Sequence, residues 1–535
     1  MMTHQTLRRS STSAAILLLS AGALSFGQSA SPIPIAPGKL PSIGTVSERY
    51  QSYNIEMVEV TGGRFWAPYK QAKSGPAAVA DTKPANTPGG MNPSLYRYRA
   101  PVDLSNPELR KLASALSPAY VRVSGTWANS TYFDDSDGPA PSEPPAGFGD
   151  ILTRKQWSGV LDFARAVDDE IITSFAISPG VRNAQGEWTP SEASKVLDYT
   201  KTVGGHIAGV EYFNEPTFAT MGGAPKSYDA AQYGRDFKIF AAFIKKAAPG
   251  TKIIGPDSVG EGGSLGQQPP SMKLVRTEDM LVAEGPGLDV FAYHFYGGVS
   301  QRCSAMMGAA AKTSPDHALS EEWLMATARE EEFYAKLRDR FVPGMPIWNT
   351  ETAETACGGN PWAGDFIDSF RYLNQLGILA KLGVKVVIHN TLDASDYGLL
   401  DEATLQPRAN YWSAVLWRRL MGTTVLDAGS SQTPNLYVYA HCLRRHPGGV
   451  ALLVLNTDKA ESREIAVPLA SSRYQLTAPD LLGTAVRLNG KDLALTANGD
   501  LPSLNGKSTH AGTVSLPPTS ITFVAIPGAS NQACR

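Results

Sequence analysis

The chain has 535 residues, 42% of them hydrophobic, with 48 basic against 50 acidic side chains and a net charge of -2. That length suffices for a large core and more than one domain. The charge balance excludes a surface that draws nucleic acid or a densely sulfated polymer from a distance, so no nucleic-acid partner is expected and any polyanion must be held by local contacts.

In chain order, Arg8 and Arg9 precede an apolar run over residues 14–24, and small residues follow at 27–30. This is the order of a secretory signal peptide over residues 1–30, cleaved near 27–30, and it predicts a secreted or periplasmic protein. The apolar run is shorter than the roughly 20 residues that span a bilayer, and no later run is longer, so no membrane span is expected.

Residues 31–53 can add a strand to a β region at the far end of the chain. Then eight short apolar runs alternate with helical segments. They are IEMVEV at Ile55, YVRVSG at Tyr120, IITSFAIS at Ile171, GVEYFNEP at Gly209, KIIGPDS at Lys252, LDVFAYHFYG at Leu288, MPIWNTET at Met345 and VKVVIHNTL at Val384. Intervening segments such as RKQWSGVLDFARAVDD and YGRDFKIFAAFIKKAA repeat apolar residues at three and four, as amphipathic helices do. Eight such alternations predict a (β/α)8 TIM barrel over residues 54–422. An open doubly wound sheet competes, but no Gly-rich phosphate loop follows the first strand. Residues 61–99, rich in Gly, Ala and Pro and carrying Trp66 and Tyr69, read equally as a binding loop on the catalytic face or as a surface insertion. From 423 to 535 the rhythm becomes short alternating runs bounded by turns, which predicts an all-β sandwich domain.

Cys303, Cys357, Cys442 and Cys534 have no C-x-x-C or Cys/His spacing, so no metal site is expected. In an exported chain they can form disulfides. A bond between Cys442 and Cys534 would close the last region as a unit; four buried thiols are the alternative, and pairing of Cys303 with Cys357 stays open.

In a (β/α)8 barrel the side chains at the carboxyl ends of the strands converge on one face. Glu215 ends the fourth run and Glu351 the seventh, so two carboxylates are expected in one mouth. Glycosidic bond cleavage uses such a pair, one protonating the leaving oxygen while the other attacks the anomeric carbon or activates water. Asn214, beside Glu215, can bind a sugar hydroxyl. Glu211 precedes it and should lie deeper along the strand. His294 and Tyr296 end the sixth run, where either can approach Glu351; a histidine satisfied by backbone is the alternative for His294. Thr126 and Trp127, just past the second run, should line the floor or rim of the pocket. Two carboxylates complete this chemistry, so no cofactor is expected.

Several separated blocks resemble glycoside hydrolase family 79, the heparanase and β-glucuronidase family. LSPAYVRVSGT, EYFNEP and IWNTETAETACGG are similar to its second-strand, acid/base and nucleophile blocks, and the stretch from LGILAKLGVKVV through SDYGLLD to NYWSAVLWRRLMGTTVL is similar to its last strand and helix. The resemblance implies Glu215 as acid/base, Glu351 as nucleophile, Asn214 as a ligand of the sugar hydroxyls, and a hydrogen bond from Tyr296 to the nucleophile. It implies that the N–H groups of Gly358 and Gly359 and the hydroxyl of Tyr397 receive a glucuronate carboxylate, and that Cys442 pairs with Cys534. Two positions depart from it: Cys357 stands where heparanases often carry Tyr, and Trp127 where heparanase carries a basic residue. No lysine cluster for a sulfated chain is present.

The expected function is thus a retaining, exo-acting β-glucuronidase, with a glucuronide or uronic-acid-containing glycan as substrate. Three alternatives remain: an endo-acting heparanase-like hydrolase of glycosaminoglycans, a related hydrolase of neutral sugars such as an arabinofuranosidase or xylosidase, and a non-catalytic carbohydrate-binding protein on an inactive barrel.

Overall fold

The computed structural model describes residues 32–69, 87, 91–265, 273–304, 313–429 and 433–535. The expected signal peptide and most of the 61–99 connection lie outside these residues. No helix among the described residues is long and apolar enough to cross a membrane.

Eight parallel strands close into a barrel: β1 (Gln51–Glu56), β2 (Tyr120–Ser124), β3 (Glu170–Ser174), β4 (Gly209–Glu211), β5 (Lys252–Ser258), β6 (Val290–Tyr296), β7 (Ile347–Ala353) and β8 (Val387–His389). Closure runs through β8, whose Val387 pairs with Gln51 of β1. Successive side chains on a strand face opposite ways. Val121, Val123, Ile171, Val210, Ile253 and Phe291 therefore point outward, into one core with Leu109, Trp157, Phe237, Phe366 and Leu373 of the surrounding helices. Tyr120, Ile172, Ile254, Ala292, Trp348 and Ile388 form a separate apolar cluster inside the barrel.

Two strands differ from the sequence expectation. The run IEMVEV is not one strand: β1 ends at Glu56, and Met57–Thr61 is helical. A reciprocal cap causes this, with the Glu56 carboxylate receiving the Glu59 N–H and the Glu59 carboxylate receiving the Glu56 N–H at 2.8 Å. The fourth strand stops at Glu211, so Glu215 stands on the loop beyond it rather than at its last rung.

The C-terminal region is a sandwich. Its larger sheet runs Ser42–Thr45, Met421–Leu426, Leu436–Leu443, Val450–Asn456, Ser520–Ile526, Ser471–Thr477, and a smaller one joins Ile33–Pro34, Arg463–Val467 and Gly512–Leu516. Leu452, Val454, Ile465, Val514 and Val524 fill the space between them. Residues 33–45 thus lend a strand to each sheet before the chain enters the barrel. The opposite face of the larger sheet docks on the helix Phe366–Leu382, where Tyr439 donates to Asn374 Oδ1 at 2.6 Å. Both cysteine pairs are bonded, Cys442 to Cys534 and Cys303 to Cys357.

Candidate active site

Two local irregularities aim the carboxylates. Past β4, Asn129 holds the main chain of Asn214 from both sides, donating to its carbonyl and accepting from its N–H, each at 2.9 Å. Glu215 then takes the left-handed conformation, with φ at 51°. That conformation costs a non-glycine residue about 1–3 kcal/mol. It breaks the alternation of a strand, so that the consecutive side chains of Asn214 and Glu215 both face the pocket. On β7 the register with β6 skips Thr350. A bulge of this kind re-aims side chains, and both neighbours reach the interior: Thr350 donates to Asp257 at 2.7 Å, and Glu351 Oε2 accepts from Arg122 at 2.7 Å.

Arg122 organises the floor of the mouth. Fully buried at the middle of β2, it donates to both oxygens of Glu211 at 2.6 and 2.8 Å, to Glu351, and to Asn214 Oδ1 at 2.9 Å. Burial alone would weaken its charge, but Glu211 and Glu351 outweigh burial and hold its pKa well above the usual arginine value. Glu351 receives a second donor on its other oxygen, the Tyr296 hydroxyl at 2.5 Å, and that hydroxyl in turn accepts from Asn390 at 3.0 Å. Each oxygen of Glu351 therefore meets a donor suited to its ionised form.

Glu215 is treated differently. Its side chain is 20% exposed, and among the described residues its side-chain partner is His294 Nδ1 at 3.2 Å. Burial, and then the charge of Glu351, push its pKa well above the carboxylate range, against a smaller pull from Arg122. His294 is neutral: burial and then Arg122 hold its pKa well below the usual value. Its Nε2 lies 3.3 Å from an Arg122 nitrogen, which can only donate. A carboxylate oxygen of Glu215 lies within 4.8 Å of one of Glu351.

The pocket above this pair has a volume of about 330 Å³. Trp66, Thr126, Trp127, Phe218 and Met221 line it, together with Tyr296, which bonds Glu351, and with Asn390 and Tyr397. Two oxygens at the pocket, Glu56 Oε2 and Asn390 Oδ1, have no hydrogen-bond partner among the described residues.

Cys357, Gly358 and Gly359 are consecutive left-handed residues, with φ of 65°, 81° and 82°. The Gly358 carbonyl accepts from Ser395 Oγ at 2.8 Å and from the Asp396 N–H at 3.1 Å, and the Gly359 carbonyl accepts from Ser300 Oγ at 2.7 Å. The N–H groups of both glycines have no acceptor among the described residues. A Cβ on Gly358 would stand 2.5 Å from Trp66 Cβ, so glycine is required by close approach as well as by φ. Tyr397 lies beside the turn, its hydroxyl accepting from Asn390 at 3.2 Å.

The strands Gly63–Trp66 and Tyr96–Arg99 pair as a hairpin after β1. Its end is clasped to the opposite loops: the Tyr69 N–H donates to the Asp396 carboxylate at 3.1 Å, and the Tyr69 hydroxyl contacts Ser300 Oγ at 2.9 Å. Arg302 completes the clasp, donating to Asp396 at 2.6 Å and stacking 3.9 Å from the Tyr69 ring centroid.

Of the residues expected at the site, Glu215, Glu351, Asn214, Tyr296, Tyr397, Thr126 and Trp127 line the pocket, and His294 lies directly beneath it. Gly358 and Gly359 form its adjoining turn. Sequence reasoning missed Arg122, Glu56, Asp257 and Asn390. The signal for Arg122 was an arginine between valines in YVRVS; those for Glu56 and Asn390 were polar residues ending apolar runs. Glu215, His294 and Glu351 are the side chains placed to share a metal ion among the described residues. The Arg122 guanidinium already supplies positive charge to Glu351.

No family model matches the chain. It is 28% identical to heparanase of Mus musculus over 493 residues, covering 81% of this chain and 88% of that one. It is 29% identical to baicalin-beta-D-glucuronidase of Scutellaria baicalensis over 367 residues, or 64% of each chain. In fold it is similar to a 4-O-alpha-L-rhamnosyl-beta-D-glucuronidase of Fusarium oxysporum, with a TM-score of 0.60 and 15% identity over 92% of this chain and all of the other. With these relatives matching through the barrel and beyond it, the chain is similar over most of its length to the heparanase and β-glucuronidase family, glycoside hydrolase family 79, and is a glycoside hydrolase.

Proposed function

We propose that the protein is an exported, retaining, exo-acting β-glucuronidase in which Glu351 is the nucleophile and Glu215 the acid/base. The observation that carries the reading is the approach of the two carboxylates to within 4.8 Å in unlike surroundings. Retaining enzymes hold their carboxyl groups about 5–5.5 Å apart, whereas inverting ones leave room for water at about 6.5–9.5 Å. Glu351, held by Arg122 and Tyr296, attacks the anomeric carbon. Glu215, kept protonated by burial and by the charge of Glu351, protonates the departing oxygen. Once the glycosyl ester forms, the charge on Glu351 is gone, the pKa of Glu215 falls, and Glu215 takes a proton from the attacking water.

The uronate reading rests on the N–H groups of Gly358 and Gly359, which lack an acceptor among the described residues, in a turn that follows the pocket-lining Cys357 and packs against Tyr397, since a carboxylate accepts well from such donors. Exo action is supported by the clasp of Tyr69, Asp396 and Arg302, which ties the first hairpin, whose Trp66 lines the pocket, to the loops after β6 and β8. Export is supported by the leader-like order of charged, apolar and small residues over 1–30 and by the two disulfides.

The test is a panel of aryl glycosides run beside heparan sulfate and hyaluronan, with wild type and Glu351→Gln. Glucuronide cleavage with retained configuration, lost in the variant, is expected. Depolymerisation of the glycosaminoglycans from within, or cleavage of neutral glycosides alone, would overturn it.

A further inference from the structure

The carbonyl and amide groups of the Cys357-Gly358-Gly359 turn are divided cleanly. Both glycine carbonyls are occupied, one by the loop after β8 through Ser395 and Asp396, the other by the loop after β6 through Ser300. The glycine N–H groups are left over. The same β6 loop is fastened to the turn at two more points, where the Ser300 N–H donates to the Ala356 carbonyl at 3.0 Å and the Gln301 N–H donates to Asn360 Oδ1 at 2.9 Å. The covalent link between these loops is the Cys303–Cys357 disulfide. Cys303 is fully buried, while Cys357 lines the pocket and holds a left-handed conformation that a cysteine rarely adopts.

We infer that the Cys303–Cys357 disulfide is a specificity-determining positioning device, which locks the Gly358-Gly359 amides as a rigid receptor for the carboxylate of the bound sugar. The inference rests on the uronide reading above. An unconstrained turn with three left-handed residues would relax, and Cys357 would be the first to leave. Its amide plane sets the direction of the Gly358 N–H. The disulfide prevents this by anchoring Cys357 to a buried partner on the neighbouring loop. The carboxylate then meets donors whose direction is fixed beforehand, so little ordering is needed on binding. A neutral sugar, having no carboxylate, gains nothing from the lock.

The test compares Cys303→Ser/Cys357→Ser with a control lacking the other bridge, Cys442→Ser/Cys534→Ser, on an aryl glucuronide and the matching aryl glucoside. For the first variant we expect KM for the glucuronide to rise on the order of tenfold or more with kcat little changed, and the glucoside to be unaffected, so the preference shrinks. The control keeps the preference. Should the double variant not fold, the wild-type protein is treated in its folded state with a phosphine, which is oxidised as both sulfurs become thiols. The same loss of preference is expected, and free glucuronate, but not glucose, should slow the reduction. An unchanged glucuronide preference after loss of the bridge overturns the inference while leaving the uronide reading standing. A wild-type protein with no preference for the glucuronide overturns both.

Discussion

The barrel interior holds two layers of opposite chemistry, one residue pair apart. Lower down, Tyr120, Ile172, Ile254, Ala292, Trp348 and Ile388 form an apolar plug. Two residues further along the chain from four of these stand Arg122, Ser174, His294 and, just past the end of β8, Asn390, a buried polar layer on which the pocket rests. The backbone is the same in both, so the difference lies in what each layer contributes. The lower one removes apolar surface from water. The upper one buries charge that only its partners make tolerable, and in return fixes donors and acceptors around Glu215 and Glu351.

The sharpest way to break this division is at Glu215. Glu215→Gln should lower kcat about 10²–10⁴-fold on an alkyl glucuronide, and far less on a nitrophenyl glucuronide, whose leaving group needs no proton. Equal losses on both substrates would remove Glu215 from the acid role. Next comes Arg122→Met, which strands Glu211 and should cost about 3–5 kcal/mol in urea unfolding. Adding Glu211→Leu should restore part of that stability and none of the activity; recovery of activity would show that the upper layer acts as the lower one does.

A smaller effect is read from pH. Because the pKa of Glu215 is raised, its acid form persists above the ordinary carboxylate range, and kcat/KM should fall as pH rises through that raised value. A basic limb beginning near pH ~4.5, the unperturbed value for glutamate, would contradict it. The sign for stability is the same. Glu56, Glu215 and Asp257 bind protons more tightly folded than unfolded, because burial raises all three. Their contribution is complete below the unfolded carboxylate pKa and is lost as pH rises towards the folded values, so Tm should decline as pH rises above the ordinary carboxylate range. The smallest change belongs to the plug: Ile254→Val should cost about 0.5–1.5 kcal/mol and leave kcat unaltered.

Much of this is legible in the sequence, for physical reasons. Eight apolar runs with helical segments between them specify the barrel, and a glutamate at the end of the fourth run and another at the end of the seventh must then converge. The end of β1 is less legible, because EMVEV alternates like a strand while the pair Glu56 and Glu59 caps a helix. Arg122 is hidden by its own surroundings: flanked by valines, it reads as one more strand residue, and its role depends on Glu211 and Glu351, 89 and 229 residues away. The clasp is beyond any local pattern, since Tyr69 and Asp396 are 327 residues apart. The disulfide at Cys357 could be suspected only as a pairing, not as a neighbour of the glycine turn.

The clasp also bears on how turnovers follow one another. With Tyr69 fastened to Asp396 and Arg302, the cleft on the proposed reading has a single doorway, and a released sugar must leave by the route the next chain end would enter. Such an enzyme cannot thread a polymer and slide along it. It must let go after every bond, so free monosaccharide should compete with fresh substrate, and a long chain should be trimmed in many separate encounters.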